Sequence, residues 1–274
     1  MERLKAAISK AKTTRGEGGP RVRGPAEPRF TPRGDTPMMW NELPQAELDT
    51  RALTQARVVT ESKENPAHIA FDILRTKLLK LLERNEWTSI AITSPTQACG
   101  KTMISTNLAF SFARQKTNRV VLCDVDLKRP AVRKVLGAGG STSMGEYLSG
   151  NGGLTDHFRK YSDSLAVCVT NQSMRHSAEV VQAQTAFDAI DTMKRELRPH
   201  VIIYDLPPMR ASDDAISFMS HVDCVLLIAS AGISTVREID DCESQLSELT
   251  HVAGVVLNKY DVETDRYYDY DYYG

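Results

Sequence analysis

A chain of 274 residues with 41% hydrophobic residues holds enough material for one α/β domain and its tails, and a formal net charge of −1 gives no overall attraction for nucleic acid, so no nucleic-acid partner is expected. The five cysteines (Cys99, Cys123, Cys168, Cys224 and Cys242) show no CxxC spacing, which argues against a zinc site or a disulfide framework. No apolar run approaches the roughly 18 residues of a membrane span, and the opening residues lack the apolar core of a signal peptide, so the sequence reads as cytoplasmic.

Residues 1–60 carry six of the twelve prolines and read as a flexible arm, because such a stretch buries too little apolar surface to offset its ordering entropy. The arm is basic over residues 1–34, with nine Lys or Arg against three Glu. Its first dozen residues place Leu4, Ala7, Ile8 and Ala11 on one helical face, which suits either a docking helix or a solvated, fraying terminus. The Met38-Met39-Trp40 patch is the other expected docking element of the arm. The folded domain is expected over residues 61–262. It opens at Asn65-Pro66, an N-cap and a first-turn proline, followed by Ile69, Ile73, Leu74, Leu78, Leu81 and Leu82 at helical spacing.

Strands and helices then alternate. Apolar runs at Ser89–Thr93, Val120–Cys123, Leu165–Thr170, Val201–Tyr204, Cys224–Ala229 and Val252–Leu257 are separated by helical segments at about 101–115, 179–196, 213–221 and 234–249. Fully apolar strands between helices predict an α/β fold, a mostly parallel sheet flanked by helices on both faces. Ligands of such sheets bind beyond the carboxyl ends of the strands, so the residues directly after each run are the informative ones.

After the first strand, Ser94-Pro-Thr-Gln-Ala-Cys-Gly-Lys101-Thr102 leads into the helix from Met103, the strand–loop–helix context of a phosphate-binding loop. Ala98, Cys99, Gly100, Lys101, Thr102 and Met103 are therefore the expected nucleotide-binding stretch. Lys101 is placed to bridge the β- and γ-phosphates, and the Thr102 hydroxyl to ligate Mg²⁺. Pro95 occupies the usual first-glycine position. After the second strand come Asp124 and Asp126, either of which can hold a metal-bound water while the other takes a proton from an attacking hydroxyl. Asp205 ends the Val201–Tyr204 strand, before Leu206-Pro207-Pro208, where a second-shell Mg²⁺ ligand is expected. Asn258, ending the last strand, is placed to bond a purine edge or simply to form a turn. The expected assignment is thus Lys101, Asp124 and Asp126 as catalytic residues and Thr102, Asp124 and Asp205 at the metal.

Thr93-Ser-Pro…Gly-Lys-Thr with Asn107-Leu-Ala, Leu122-Cys-Asp-Val-Asp-Leu-Lys-Arg-Pro and Ile203-Tyr-Asp-Leu-Pro-Pro, in this order, resemble the bacterial tyrosine kinase (BY-kinase) family of polysaccharide export and chain-length control. Ser177-Ala-Glu179-Val resembles a further segment of that family, and the resemblance covers roughly residues 65 to 260. It implies a P-loop NTPase of the MinD/ParA-like deviant Walker type that uses ATP and Mg²⁺. It also implies a membrane adaptor of the polysaccharide co-polymerase type, a homo-oligomer, a cognate tyrosine phosphatase and a peripheral place at the inner membrane through that adaptor. Residues 263–274 form a separate tail, in which five of the nine tyrosines fall within residues 267–274. The resemblance makes Tyr267, Tyr268, Tyr270, Tyr272 and Tyr273 autophosphorylation sites, modified in trans. Ala98, Lys128 and Leu206 depart from the family's motifs. Its oligomerisation segment aligns with Ile69, Asp72 and Arg75, of which only Arg75 matches. The alternatives are a MinD/ParA-like partner-switching ATPase, with an unmodified tail, and a nucleotide-binding scaffold without turnover.

Overall fold

The structure, a computed structural model, describes residues 36–62 and 65–260. The chain divides between Gly34 and Asp35, and all described residues belong to the second unit. The basic segment, with the helix expected at its start, lies outside the described residues, as do the five tail tyrosines.

Seven strands form one sheet among the described residues, in the order β3-β4-β2-β5-β1-β6-β7. The strands are β1 (Ser89–Thr93), β2 (Val120–Asp124), β3 (Arg159–Ser162), β4 (Leu165–Cys168), β5 (Val201–Asp205), β6 (Cys224–Ser230) and β7 (His251–Asn258). All neighbours pair in parallel except β3 with β4, a short antiparallel edge that the sequence reading does not contain. Arg159-Lys-Tyr-Ser162 is too polar and brief to register as an apolar run. In register, Ile92 faces Asp205 and Asp124 faces Asp205, so β1, β2 and β5 end together. From β1 the chain runs to β2 on one side, and from its neighbour β5 it runs to β6 on the other, so the adjacent ends of β1 and β5 form the switch point at which open α/β sheets bind ligands.

The helices are α1 (Met38–Glu42), α2 (Thr50–Gln55), α3 (His68–Asn85), α4 (Lys101–Ala113), α5 (Val132–Leu136), α6 (Met144–Leu148), α7 (Leu154–His157), α8 (Ser177–Gln182), α9 (Gln184–Leu197), α10 (Asp214–Phe218) and α11 (Val236–Leu249). Helix α4 lies against β1, β2 and β5, and α3 lies against its outer side. That double cover explains why Ile104 to Ala113 are all buried and why the segment is apolar around its circumference. On the opposite face, Ala91, Val121, Cys123, Ile202, Tyr204, Val225 and Leu227 share one core with Ala186, Ile190, Met193 and Leu197 of α9, buried at helical spacing, and with Cys242 and Leu246 of α11.

Residues 36–60, expected within the flexible arm, are folded. Trp40 is 1% exposed in the main core, and its indole N–H donates to Asp163 O at 3.1 Å. Leu43, Leu53 and Val58 are buried too. The segment returns along the sheet edge through the Gln45–Lys160 bridge and is pinned to α4 by Thr60 Oγ1, which donates to Asn107 O at 2.7 Å. Pro37 and Pro44 shape a path across the domain surface, and Trp40, Leu43, Leu53 and Val58 anchor it. Trp40 is consequently unavailable to a docking partner, which corrects the patch reading; Met38 remains 71% exposed.

Two helix expectations also change. The chain enters α3 through a turn in which Asn65 Oδ1 accepts from Ala67 N, so the helix begins at His68. The segment at 179–196 is two helices, because Ala183 adopts an extended conformation between them. On α3, Asp72 Oδ1 accepts from Arg75 Nη1 at 3.0 Å and from Ser111 Oγ at 2.7 Å, so Arg75 is bonded within its own subunit. Among the described residues no helix is long and apolar enough to cross a membrane.

Candidate active site

The loop from Ser94 to Gly100 reverses the chain between β1 and α4. It does so through two left-handed residues, Ala98 at φ +62° and Gly100 at φ +90°. Neighbouring segments hold the loop carbonyls. Ser94 O accepts from Met209 N, Pro95 O from Arg210 N, Ala98 O from Lys259 Nζ and Cys99 O from Asn258 Nδ2. With its carbonyls drawn outward, the loop leaves the backbone N–H groups of Ala98 to Met103 without a partner among the described residues. Converging N–H dipoles at the start of a 13-residue helix form an anion cradle.

The three aspartates meet below that cradle. Lys101 Nζ donates to Asp126 Oδ2 at 2.8 Å and lies 3.9 Å from Asp205 Oδ2. Thr102 Oγ1 donates to Asp205 Oδ2 at 2.7 Å, and Ser105 Oγ to Asp205 Oδ1 at 2.9 Å. Asp124 Oδ2 accepts from the N–H groups of Ala131 and Val132, whereas its Oδ1 is buried with no hydrogen-bond partner. Burial, and next the Asp205 charge, push the Asp124 carboxyl well above the usual carboxylate range. Asp205 is likewise raised, by burial first, against the opposing pull of Lys101 and its two hydroxyl donors. Burial alone would depress Lys101, but the charges of Asp205 and Asp126 outweigh it and raise its ammonium. Two buried carboxylates side by side, one with an idle oxygen, make a pocket of negative potential that one lysine does not neutralise.

A cavity of about 360 Å³ opens over the loop, lined by Gln97, Ala98, Gly100, Lys101, Thr102, Met103 and Asp126 on one side and by Lys128, Arg129, Pro207, Pro208, Ala211 and Ser212 on the other. Its size fits a small-molecule site. The structure thus brings Lys101, Thr102, Asp124, Asp126 and Asp205 together at the strand ends. Asp126 lines the cavity, while Asp124 lies fully buried behind it, so of the two only Asp126 is placed to meet a proton from the cavity. The Cys99 thiol is buried among Thr96, Gln97 and Ser234 and does not line the cavity. Asn258 holds the loop through its amide rather than standing free beside it.

Sequence reasoning missed Ser105, Lys259 and Asp214, and with Asp214 the partner of Lys128 and Ser177. Ser105 sits one helical turn beyond Thr102, and that spacing was the available signal. Lys259 follows Asn258 directly. Lys128 Nζ donates to the buried Asp214 at 3.0 Å, and Ser177 Oγ donates to the other oxygen of that carboxylate at 2.6 Å. No local pattern links residues so far apart in the chain.

The CobQ/CobB/MinD/ParA nucleotide binding domain family matches residues 90–270. The tyrosine-protein kinase CpsD of Streptococcus pneumoniae is 29% identical over 181 residues, covering 65% of this chain and 78% of CpsD. The tyrosine-protein kinase Wzc of Salmonella typhi is 24% identical over 214 residues, covering 76% of this chain but only 29% of Wzc. Among solved structures, the kinase domain of the Escherichia coli tyrosine kinase ETK superposes with a TM-score of 0.67 at 25% identity, covering 77% of this chain and 84% of that one. This chain belongs to the CobQ/CobB/MinD/ParA nucleotide-binding domain family.

Proposed function

We propose that this protein is an ATP- and Mg²⁺-dependent protein-tyrosine kinase of exopolysaccharide or capsule export that phosphorylates the tyrosines of its own 267–273 segment in trans. The observation that carries the reading is the convergence of Lys101, Thr102, Asp126 and Asp205 beneath a cradle of unpartnered N–H groups. The similarity to proteins named tyrosine-protein kinases selects phosphoryl transfer to tyrosine from the chemistries such a site allows.

In this reading the N–H groups of Ala98 to Met103 bind the phosphates. Asn258 uses the amide atoms not bonded to Cys99 for the purine edge. The idle Oδ1 of Asp124 and the raised carboxyl of Asp205 fit a divalent cation, with Thr102 as the hydroxyl donor. The described residues offer no group of three or more His, Cys, Asp or Glu arranged as a metal cage, so nucleotide oxygens would complete the shell. Mg²⁺ supplies charge neutralisation at the transferred phosphoryl. Lys101 stabilises the same charge from the protein side. A tyrosine oxygen of a neighbouring copy forms the new bond to the γ-phosphorus, the bond to the bridging oxygen breaks, ADP leaves with the electron pair, and the phenolic proton passes to Asp126.

The partners in this reading are a second copy, a membrane adaptor of the co-polymerase type that brings the protein to the membrane, and a cognate phosphatase. The test is incubation with Mg-ATP and the adaptor, followed by mass spectrometry of the tail. Phosphotyrosine at residues 267–273, lost in Lys101→Met, is the expected result. Steady ATP hydrolysis with an unmodified tail would instead establish a MinD/ParA-like partner-switching ATPase, and neither activity a scaffold.

A further inference from the structure

Three cations line the cavity, and two are already engaged. Lys101 pairs with Asp126 and Asp205, and Lys128 is held by Asp214, which is 1% exposed. The third, Arg129, is exposed, and its guanidinium has no hydrogen bond or ion pair among the described residues. Its backbone is nevertheless fixed, because Arg129 N donates to Asp126 Oδ1 at 3.0 Å. A free, planar fork of donors is therefore anchored one hydrogen bond from the carboxylate that faces the cavity. Asp126 is the sole acidic residue in the cavity lining, and it is turned to Lys101. The outer wall consequently presents one uncompensated positive charge at its rim.

The sequence supplies a matching ligand. Residues 261–274 carry five carboxylates (Asp261, Glu263, Asp265, Asp269 and Asp271) against the single Arg266. Within the tyrosine run the carboxylates are immediate neighbours of three tyrosines: Asp269 follows Tyr268, Asp271 precedes Tyr272, and Tyr270 lies between the two. Adjacent residues lie only about 3.3 Å apart along an extended chain, so a tyrosine held in the cavity keeps its neighbour's backbone at the cavity mouth, from which the short aspartate side chain is within reach of a long arginine on the rim. Arginine binds a carboxylate there through two parallel bonds, which a lysine does not reproduce.

Building on the kinase reading above, we infer that Arg129 is a specificity-determining residue that reads a carboxylate next to the acceptor tyrosine, so that the site takes acidic tyrosine segments. It follows that Tyr268, Tyr270 and Tyr272 are modified ahead of Tyr267 and Tyr273, which have no acidic neighbour.

The test uses the full chain together with its membrane adaptor and two synthetic peptides, one with the sequence of residues 266–274 and one carrying Asp269→Asn and Asp271→Asn. With Mg-ATP, the expected result is a KM about fivefold higher for the Asn peptide at similar kcat, the size of one exposed but well-oriented charge pair. Arg129→Ala should erase the preference between the peptides. Arg129→Glu should transfer it to a peptide carrying Asp269→Lys and Asp271→Lys. Equal KM values for the Asp and Asn peptides on the unaltered protein, or a preference that survives in Arg129→Ala, overturns the inference. A protein that phosphorylates neither peptide refutes the kinase reading separately. Fluorescence anisotropy of the labelled peptides with Mg-ADP then still decides the inference, because binding needs no transfer. Tighter, salt-sensitive binding of the Asp peptide supports it, and equal binding overturns it.

Discussion

The amide nitrogen of Asn258 donates to Cys99 O at 2.8 Å and fills the space into which a side chain on Gly100 would project. The last strand of the sheet thereby holds the phosphate loop from outside, and Gly100 has two reasons to remain bare: its φ of +90° and the amide packed against it. Lys259, the next residue, repeats the hold on Ala98 O.

Removing that hold should weaken nucleotide binding without unfolding the domain. Asn258→Ala is expected to raise the Kd for ATP about fivefold, since it frees one loop carbonyl and removes one hydrogen bond worth about 1 kcal/mol. Gly100→Ala should abolish binding, because the loop must shift to clear Asn258. Titration with a fluorescent ATP analogue measures both, and an Asn258→Ala protein with unchanged affinity would falsify the role.

The aspartate pair should cost stability for the sake of function. Asp124 holds an idle, buried oxygen next to Asp205, and its carboxyl is raised in the fold. A raised acid favours the protonated folded form, so its stabilising contribution is present below about pH 3.8 and is lost as pH rises through its folded value. Near neutral pH, Asp124→Asn should therefore raise the melting temperature of the nucleotide-free protein by about 2–4 °C per kcal/mol relieved, with the gain shrinking on acidification. The same variant should lose Mg²⁺-dependent nucleotide binding. Calorimetric scans across pH, with and without Mg-ATP, check both signs.

Ala98 holds φ +62°, a conformation that costs a residue with a side chain about 1 kcal/mol. Ala98→Gly is expected to raise the melting temperature by about 1–3 °C, the strain relief being partly offset by the greater freedom of glycine in the unfolded chain. Thermal denaturation decides it, and a lower melting temperature is the contrary outcome.

Deleting residues 1–34 and deleting residues 1–60 should differ sharply. The shorter deletion leaves every described residue in place. The longer removes Trp40, Leu43, Leu53 and Val58 from the core and should give an insoluble or molten product. Trp40→Ala alone is expected to cost about 3–5 kcal/mol, because it opens a cavity and orphans Asp163 O. Urea unfolding measures that cost.

The sequence by itself determined the alternating elements, the parallel sheet and the strand ends that carry Lys101, Thr102, Asp124, Asp126 and Asp205. Those features are local: an apolar run is legible because a strand covered on both faces must be apolar throughout, and a polar residue at its end is legible because it interrupts that run. Tertiary structure decided the rest. It set Asp126 at the cavity and Asp124 behind it, tied Asn258 and Lys259 to the loop, engaged Lys128 with Asp214 and left Arg129 free. It also took Trp40 into the core from a stretch whose prolines suggested an arm. Each of these outcomes joins residues from distant parts of the chain, and such pairings are fixed by strand order and packing, which leave no periodic trace in the sequence.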